Sequence, residues 1–199
     1  MRLDRVGLER VLTALGEQLA AQTDESIALV VCGGSALQAL GLVQRTTRDV
    51  DVLALLRADD FGAPLLVTAE PLPPLLLEAS RIVGADFKLP IDWLNSGPTD
   101  LLREGLPEGC AQRLHIFSYG ERLTVHFLDR VDLICLKTYA AINGETARHL
   151  ADLRALTPTE DEMVMAANWT LTQDAADFFP ELMRDFLRKV GYPNVADSL

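Results

Sequence analysis

Aspartates 49 and 51 are the residues of this chain whose type and spacing point most directly to chemistry. They lie in the run Thr47-Arg48-Asp49-Val50-Asp51-Val52-Leu53. Side chains alternate between the two faces of an extended strand, so Asp49 and Asp51 project together while Val50 and Val52 enter a core. Aspartate is depleted from strands, and two of them at this spacing need compensation, which a hard cation supplies. Mg²⁺ takes oxygen ligands and is commonly held by one or two carboxylates together with substrate phosphates. Upstream, Val30-Val31-Cys32-Gly33-Gly34-Ser35-Ala36-Leu37 is an apolar run that ends in Gly-Gly-Ser and opens a helix. Glycine lacks the Cβ that would hold a ligand away, so backbone N–H groups at Gly33 and Gly34 can approach phosphate oxygens. A phosphate-cradling turn beside an Asp-x-Asp edge reads as a site for Mg²⁺ and a nucleoside triphosphate. Each part also has a plainer reading: a hydrated acidic pair at a strand end, an ordinary Gly-Gly turn, and Ser35 as a simple N-cap rather than a hydroxyl donor to the triphosphate.

These residues need elements to hold them. Ser26 to Cys32 reads as a buried strand, Ser35 to Leu42 as a helix and Val50 to Leu56 as a second strand. The intervening Val43-Gln44-Arg45-Thr46-Thr47-Arg48 is a polar link exposed at the mouth of the site. Ahead of them, Leu3 to Ala21 places Val6, Leu8, Val11, Leu12, Leu15 and Leu19 at helical spacing. Pro64, Pro71, Pro73 and Pro74 interrupt the next stretch and leave Leu75 to Val83 as a helix opened by prolines. Ile91-Asp92-Trp93-Leu94-Asn95 is ambiguous, and Gly97-Pro98 and Pro107-Glu108-Gly109 mark loops. Leu114 to Ser118 and Leu123 to Leu128, joined by Tyr119-Gly120-Glu121-Arg122, form a β-hairpin. The rest is helical: Val131 to Ile142, Ala147 to Leu156, Thr159 to Thr170 and Phe179 to Val190. A proline stop at Pro158, a Thr159 N-cap and Glu162 at the capping-box position set one boundary among them. The expected fold is α+β, a mixed sheet of the two N-terminal strands and the hairpin with flanking helices. Its core covers 1–130, and a helical C-terminal subdomain covers 131–199 and packs on the core.

The order Gly33-Gly34-Ser35, helix, Asp49-Val50-Asp51 resembles the signature of the DNA polymerase β-like nucleotidyltransferase superfamily. Its pattern is Gly-Ser or Gly-Gly-Ser followed by Asp-x-Asp on the next strand. The likeness is nearest to the small bacterial members, including abortive-infection toxin nucleotidyltransferases. A second block, Asp132-Leu133-Ile134-Cys135-Leu136-Lys137-Thr138-Tyr139-Ala140-Ala141 and then Arg148-His149-Leu150-Ala151-Asp152-Leu153, is similar to their helical lysine and later Asp-Leu pair. The resemblance implies Mg²⁺-dependent transfer of a nucleoside monophosphate from a triphosphate to a hydroxyl acceptor, with release of pyrophosphate. On it, Asp49 and Asp51 hold the metal, Gly33, Gly34 and Ser35 fix the triphosphate, and Lys137 with Arg48 offsets developing charge. Read from the residues alone, Lys137 is equally a lysine whose stem covers the core. Asp152 is either a solvated helix residue paired with Arg148 or Arg154 or a polar group turned into the site. The superfamily usually has a third carboxylate that helps activate the attacking hydroxyl. Here Asp92, Glu121, Asp129 and Asp152 all stand as candidates. Two alternatives keep the same fold: a toxin-type enzyme acting on tRNA or protein and paired with an antitoxin, and a catalytically silent nucleotide-binding or interaction protein.

The chain of 199 residues sets 18 Lys and Arg against 29 Asp and Glu, a formal net charge of -11. Nucleic-acid binding rests on many basic contacts to phosphate, so a small molecule or a protein hydroxyl is the expected acceptor ahead of RNA or DNA. A local basic patch from Arg45, Arg48, Arg81, Lys88, Arg148 and Arg154 stays open as an exception. Cys32, Cys110 and Cys135 are isolated and lack metal-ligand spacing, which argues against a disulfide framework and a zinc site, and they are expected to be small buried residues. No window has the length of a membrane span and Met1-Arg2-Leu3-Asp4-Arg5 lacks a signal-peptide core, so a cytoplasmic location without membrane contact is expected. His115, His126 and His149 lack ligand spacing and read as structural, as do Trp93 and Trp169.

Overall fold

The computed structural model describes residues 2–144 and 146–199, in two compact units, Met1–Asp129 and Arg130–Leu199. The first is α+β with a mixed sheet and flanking helices. Helix α1 (Arg5–Gln22) starts at Asp4, whose side chain accepts the Gly7 N–H at 2.7 Å. That bond satisfies one of the N–H groups that a helix start leaves without a partner. It buries Leu8, Val11, Leu12, Leu15 and Leu19, whereas Val6, expected in the same stripe, is exposed. Strand β1 (Ile27–Cys32) runs directly into α2 (Gly33–Ala39), and β2 (Val50–Ala58) turns back into β3 (Pro64–Thr68). Then come α3 (Pro74–Asp86), with proline in its first turn, β4 (Leu94–Asn95), a single 3-10 turn at Gly97–Thr99 and α4 (Asp100–Glu104). The hairpin β5 (His115–Ser118) and β6 (Leu123–Phe127) completes the unit.

The strands are ordered β3-β2-β1-β6-β5, with β4 beside β2. Strand β1 is central, antiparallel to β2 and parallel to β6, and its Leu29, Val30 and Val31 are fully buried. This is the sheet expected from the two apolar strands and the hairpin, enlarged by β3 and β4. Neither addition had a sequence signal. Strand β3 begins with a proline at a sheet edge and is half-exposed, so it shows neither alternation nor an apolar run. Strand β4 has two residues.

Two further departures bear on the site. The helix after β1 begins at Gly33, so both glycines belong to its first turn rather than to a loop before it. The link from Val43 to Arg48 is not wholly exposed, because Val43 and Thr47 are buried and Thr47 exchanges backbone hydrogen bonds with Leu3, both at 2.8 Å. On α1, a Cβ added to Gly16 would lie 1.6 Å from the Tyr119 carbonyl oxygen, so the helix accepts the hairpin turn only where a side chain is missing.

The second unit is helical: α5 (Arg130–Ile142), α6 (Thr146–Leu156), α7 (Glu160–Leu171), α8 (Phe179–Val190) and α9 (Pro193–Ser198), the last not expected. The capping box at α7 forms as read, with Thr159 Oγ1 accepting the Glu162 N–H and Glu162 accepting the Thr159 N–H. Arg130 donates to the Leu156 carbonyl at 2.6 Å and pairs with Glu162. One guanidinium thus ties the start of α5 to the end of α6 and the start of α7. Trp169 packs edge-on to Tyr139, and all three cysteines of the chain are buried and unbridged. No helix among the described residues is long and apolar enough to cross a membrane.

Candidate functional site

The β1–β2 pairing brings the ends of three elements together. Cys32, the last residue of β1, sits opposite Asp51, and Asp51 in turn sits opposite Asn95 of β4. Val50 and Val52 are fully buried while Asp49 and Asp51 are half-buried, the alternation of burial expected around this run. Asp49 lies just before β2, and its Oδ1 accepts the Thr47 hydroxyl at 3.0 Å. Thr47 itself is fully buried and held by Leu3. Asp51 Oδ1 accepts Asn95 Nδ2 at 3.2 Å.

Gly33 adopts φ +68°, a conformation that favours glycine. A Cβ there would be 2.2 Å from Asp51 Oδ2, so the backbone at the end of β1 and the Asp51 carboxylate share a space that no other residue type leaves open. Gly34 and Ser35, by contrast, are buried in α2. The Ser35 hydroxyl donates back to the Cys32 carbonyl at 3.1 Å from inside the first turn, so the N-cap reading is corrected: Cys32 holds the N-cap position and no side chain caps it. Of the Gly-Gly-Ser triplet, only Gly33 remains partly accessible. Arg48 is exposed in the bend before Asp49, and Arg45 donates to the Thr46 carbonyl.

Lys137 and Asp152 belong to the second unit, where they meet each other. Lys137 Nζ lies 2.9 Å from Asp152 Oδ2, and the residues are 5% and 1% exposed. Both solvent-facing readings are therefore corrected. Asp152 is not solvated, and Lys137 does not carry its ammonium out to water. The ion pair is buried because α5 and α6 pack face to face, and the ammonium also contacts His149 Nδ1 at 3.4 Å. A buried lysine must have its charge balanced nearby, and here the balance comes from a carboxylate on the neighbouring helix.

Of the other candidate third carboxylates, Asp92 and Glu121 are exposed on turns, and Asp129 pairs with His115 Nε2 at 2.8 Å. The side chain that does reach Asp51 from a neighbouring strand is Asn95, an amide. It could not be singled out in advance, because a two-residue strand leaves no periodic trace. Among the described residues, no group of three or more His, Cys, Asp or Glu side chains is arranged to hold a metal ion. Asp49 and Asp51 carry hard carboxylate oxygens, the donor type that Mg²⁺ takes, and each side chain accepts from a neutral hydrogen-bond donor. No protein-family model, curated protein or solved structure matches the chain.

Proposed function

We propose that the first unit carries a nucleotidyltransferase centre, moving a nucleoside monophosphate from a triphosphate to a hydroxyl acceptor and releasing pyrophosphate. The supporting observation is the junction of Gly33 with Asp51, where the end of β1 and the carboxylate edge of β2 meet too closely for any side chain. Mg²⁺, when bound, would supply Lewis-acid activation of the α-phosphate and offset triphosphate charge. Asp49 and Asp51 are the residues that would hold it. Thr47 and the Leu3 bridge keep Asp49 in place, so the carboxylates do not have to be ordered when the metal and nucleotide arrive. Gly33 lets the Asp51 carboxylate lie against the end of β1, and the exposed Arg48 is near enough in sequence to add positive charge at the rim. Gly34 and Ser35 serve the turn, not the ligand. Lys137 enters with its charge already balanced by Asp152, so we give it no phosphate in this scheme.

The net charge of -11 favours a small-molecule or protein hydroxyl as acceptor over a long nucleic acid. The test is incubation of the protein with Mg²⁺, each α-labelled triphosphate in turn, and a cell extract divided into small-molecule, protein and RNA fractions. Pyrophosphate release with label on one of the first two fractions is the expected result, lost in the double variant Asp49→Asn/Asp51→Asn. Label chiefly on RNA would overturn the acceptor class and favour a toxin-type enzyme acting on tRNA. Triphosphate binding without pyrophosphate release would leave a binding protein.

A further inference from the structure

We infer that Asn95 is a positioning residue of this centre: it aims the Asp51 carboxylate and holds the site at two negative charges. The inference rests on the metal-binding role proposed for Asp49 and Asp51. Three observations carry it. Strand β4 consists of Leu94 and Asn95 alone, and its pairing sets Asn95 directly beside Asp51 in parallel register. Asn95 Nδ2 donates to Asp51 Oδ1 at 3.2 Å. Its own Oδ1 accepts the Gly97 N–H at 3.0 Å, where the chain enters the 3-10 turn, so the amide has one orientation and always presents its NH₂ to the carboxylate. Rotated the other way, the amide oxygen would face carboxylate oxygen and lose the Gly97 bond.

The choice of an amide has an electrostatic consequence. An aspartate at this position would set a third carboxylate against Asp51 with no proton between them, a repulsion that only a bound cation relieves. Asparagine fills the same volume, donates where aspartate cannot, and leaves two carboxylates to balance one divalent ion. Partners that orient a ligating carboxylate set metal affinity, and their loss typically weakens it about 10–100-fold.

The experiment is titration of the apo protein with Mn²⁺ alone, followed by electron paramagnetic resonance, with thermal unfolding in parallel. Mn²⁺ shares the oxygen-ligand preference of Mg²⁺. Wild type, Asn95→Ala, Asn95→Asp and Asp51→Asn are compared. The expected result is Mn²⁺ affinity lowered about tenfold or more in Asn95→Ala. The isosteric Asn95→Asp is expected to unfold at lower temperature than wild type without metal and to gain more from Mn²⁺ than wild type does. A merely structural asparagine would shift unfolding equally with and without Mn²⁺ and leave affinity unchanged; that result in both variants overturns the inference alone. Wild type that binds no Mn²⁺, or binding that survives Asp51→Asn, overturns the metal-site reading and the inference with it.

Discussion

Gly33→Ala separates the cost of a backbone conformation from the cost of a displaced carboxylate. At φ +68° an L-residue pays for a left-handed backbone, about 1–2 kcal/mol. The new Cβ would also stand 2.2 Å from Asp51 Oδ2 and 3.1 Å from its Cγ. Because those atoms end a side chain, the carboxylate can swing away, so the steric cost is at the lower end of the usual 1–3 kcal/mol for overpacking. A loss of about 2–3 kcal/mol follows from the two together, an unfolding temperature lower by roughly 4–12 °C for a chain of this size. The movement that limits the stability loss removes Asp51 from its place opposite Gly33. Divalent-ion binding by the folded protein is therefore expected to fall as well, by at least about tenfold, an effect the backbone cost alone does not produce. Gly62→Ala is the control, since Gly62 has φ +83° and nothing within 4 Å of its Cβ position. It carries the backbone cost with no carboxylate to displace. Calorimetric titration with Mn²⁺ and unfolding scans on both variants read the two quantities. If Gly33→Ala bound the ion as tightly as Gly62→Ala does, the close approach of Gly33 to Asp51 would have no part in the site and the reasoning would fail.

Lys137→Met, which takes the Lys137 ammonium away from the buried Asp152 carboxylate, is expected to cost about 3–5 kcal/mol in urea unfolding. The double variant Lys137→Met/Asp152→Leu should recover most of that loss. A single variant as stable as wild type would contradict the buried pair. Burial lowers the pKa of His126 below its ordinary value of 6.5, so on acidification the unfolded chain takes up the proton first. Its contribution is whole above about pH 6.5 and is lost as pH falls below that value toward the lower folded-state pKa. Urea midpoints at pH 7.5 and 5.5 should show a smaller acid loss for His126→Gln than for wild type. Equal losses would remove His126 as the cause.

What the sequence made legible was what repeats along the chain or caps it locally. The apolar runs of β1 and β2, the alternation around Val50 and Val52, the hairpin and the Thr159 box are all set by neighbours a few residues apart. Partners chosen by packing were not legible. Lys137 and Asp152 lie fifteen positions apart on helices whose facing sides the sequence does not specify, and neither residue's pattern points to the other. Asn95 reaches Asp51 across forty-four positions through a two-residue strand. Ser35 shows a third kind of limit. A serine near a helix start reads as an N-cap, but α2 begins two residues earlier at Gly33, so Ser35 lies inside the helix and its hydroxyl donates back to Cys32.

Gly16 reverses a common rule of protein stabilisation. Alanine in place of a mid-helix glycine ordinarily gains about 0.5–1 kcal/mol, because the helix loses less backbone freedom on folding. A thermostabilisation effort working from helix propensity alone would therefore start with this residue. Yet the methyl group would be driven into the backbone carbonyl of Tyr119, an atom with no rotamer through which to yield. The missing side chain makes a notch in α1 that takes the hairpin turn like a key. For a designer, Gly16 is a position to protect, and a grafted helix intended to replace α1 would need the same notch at the same height.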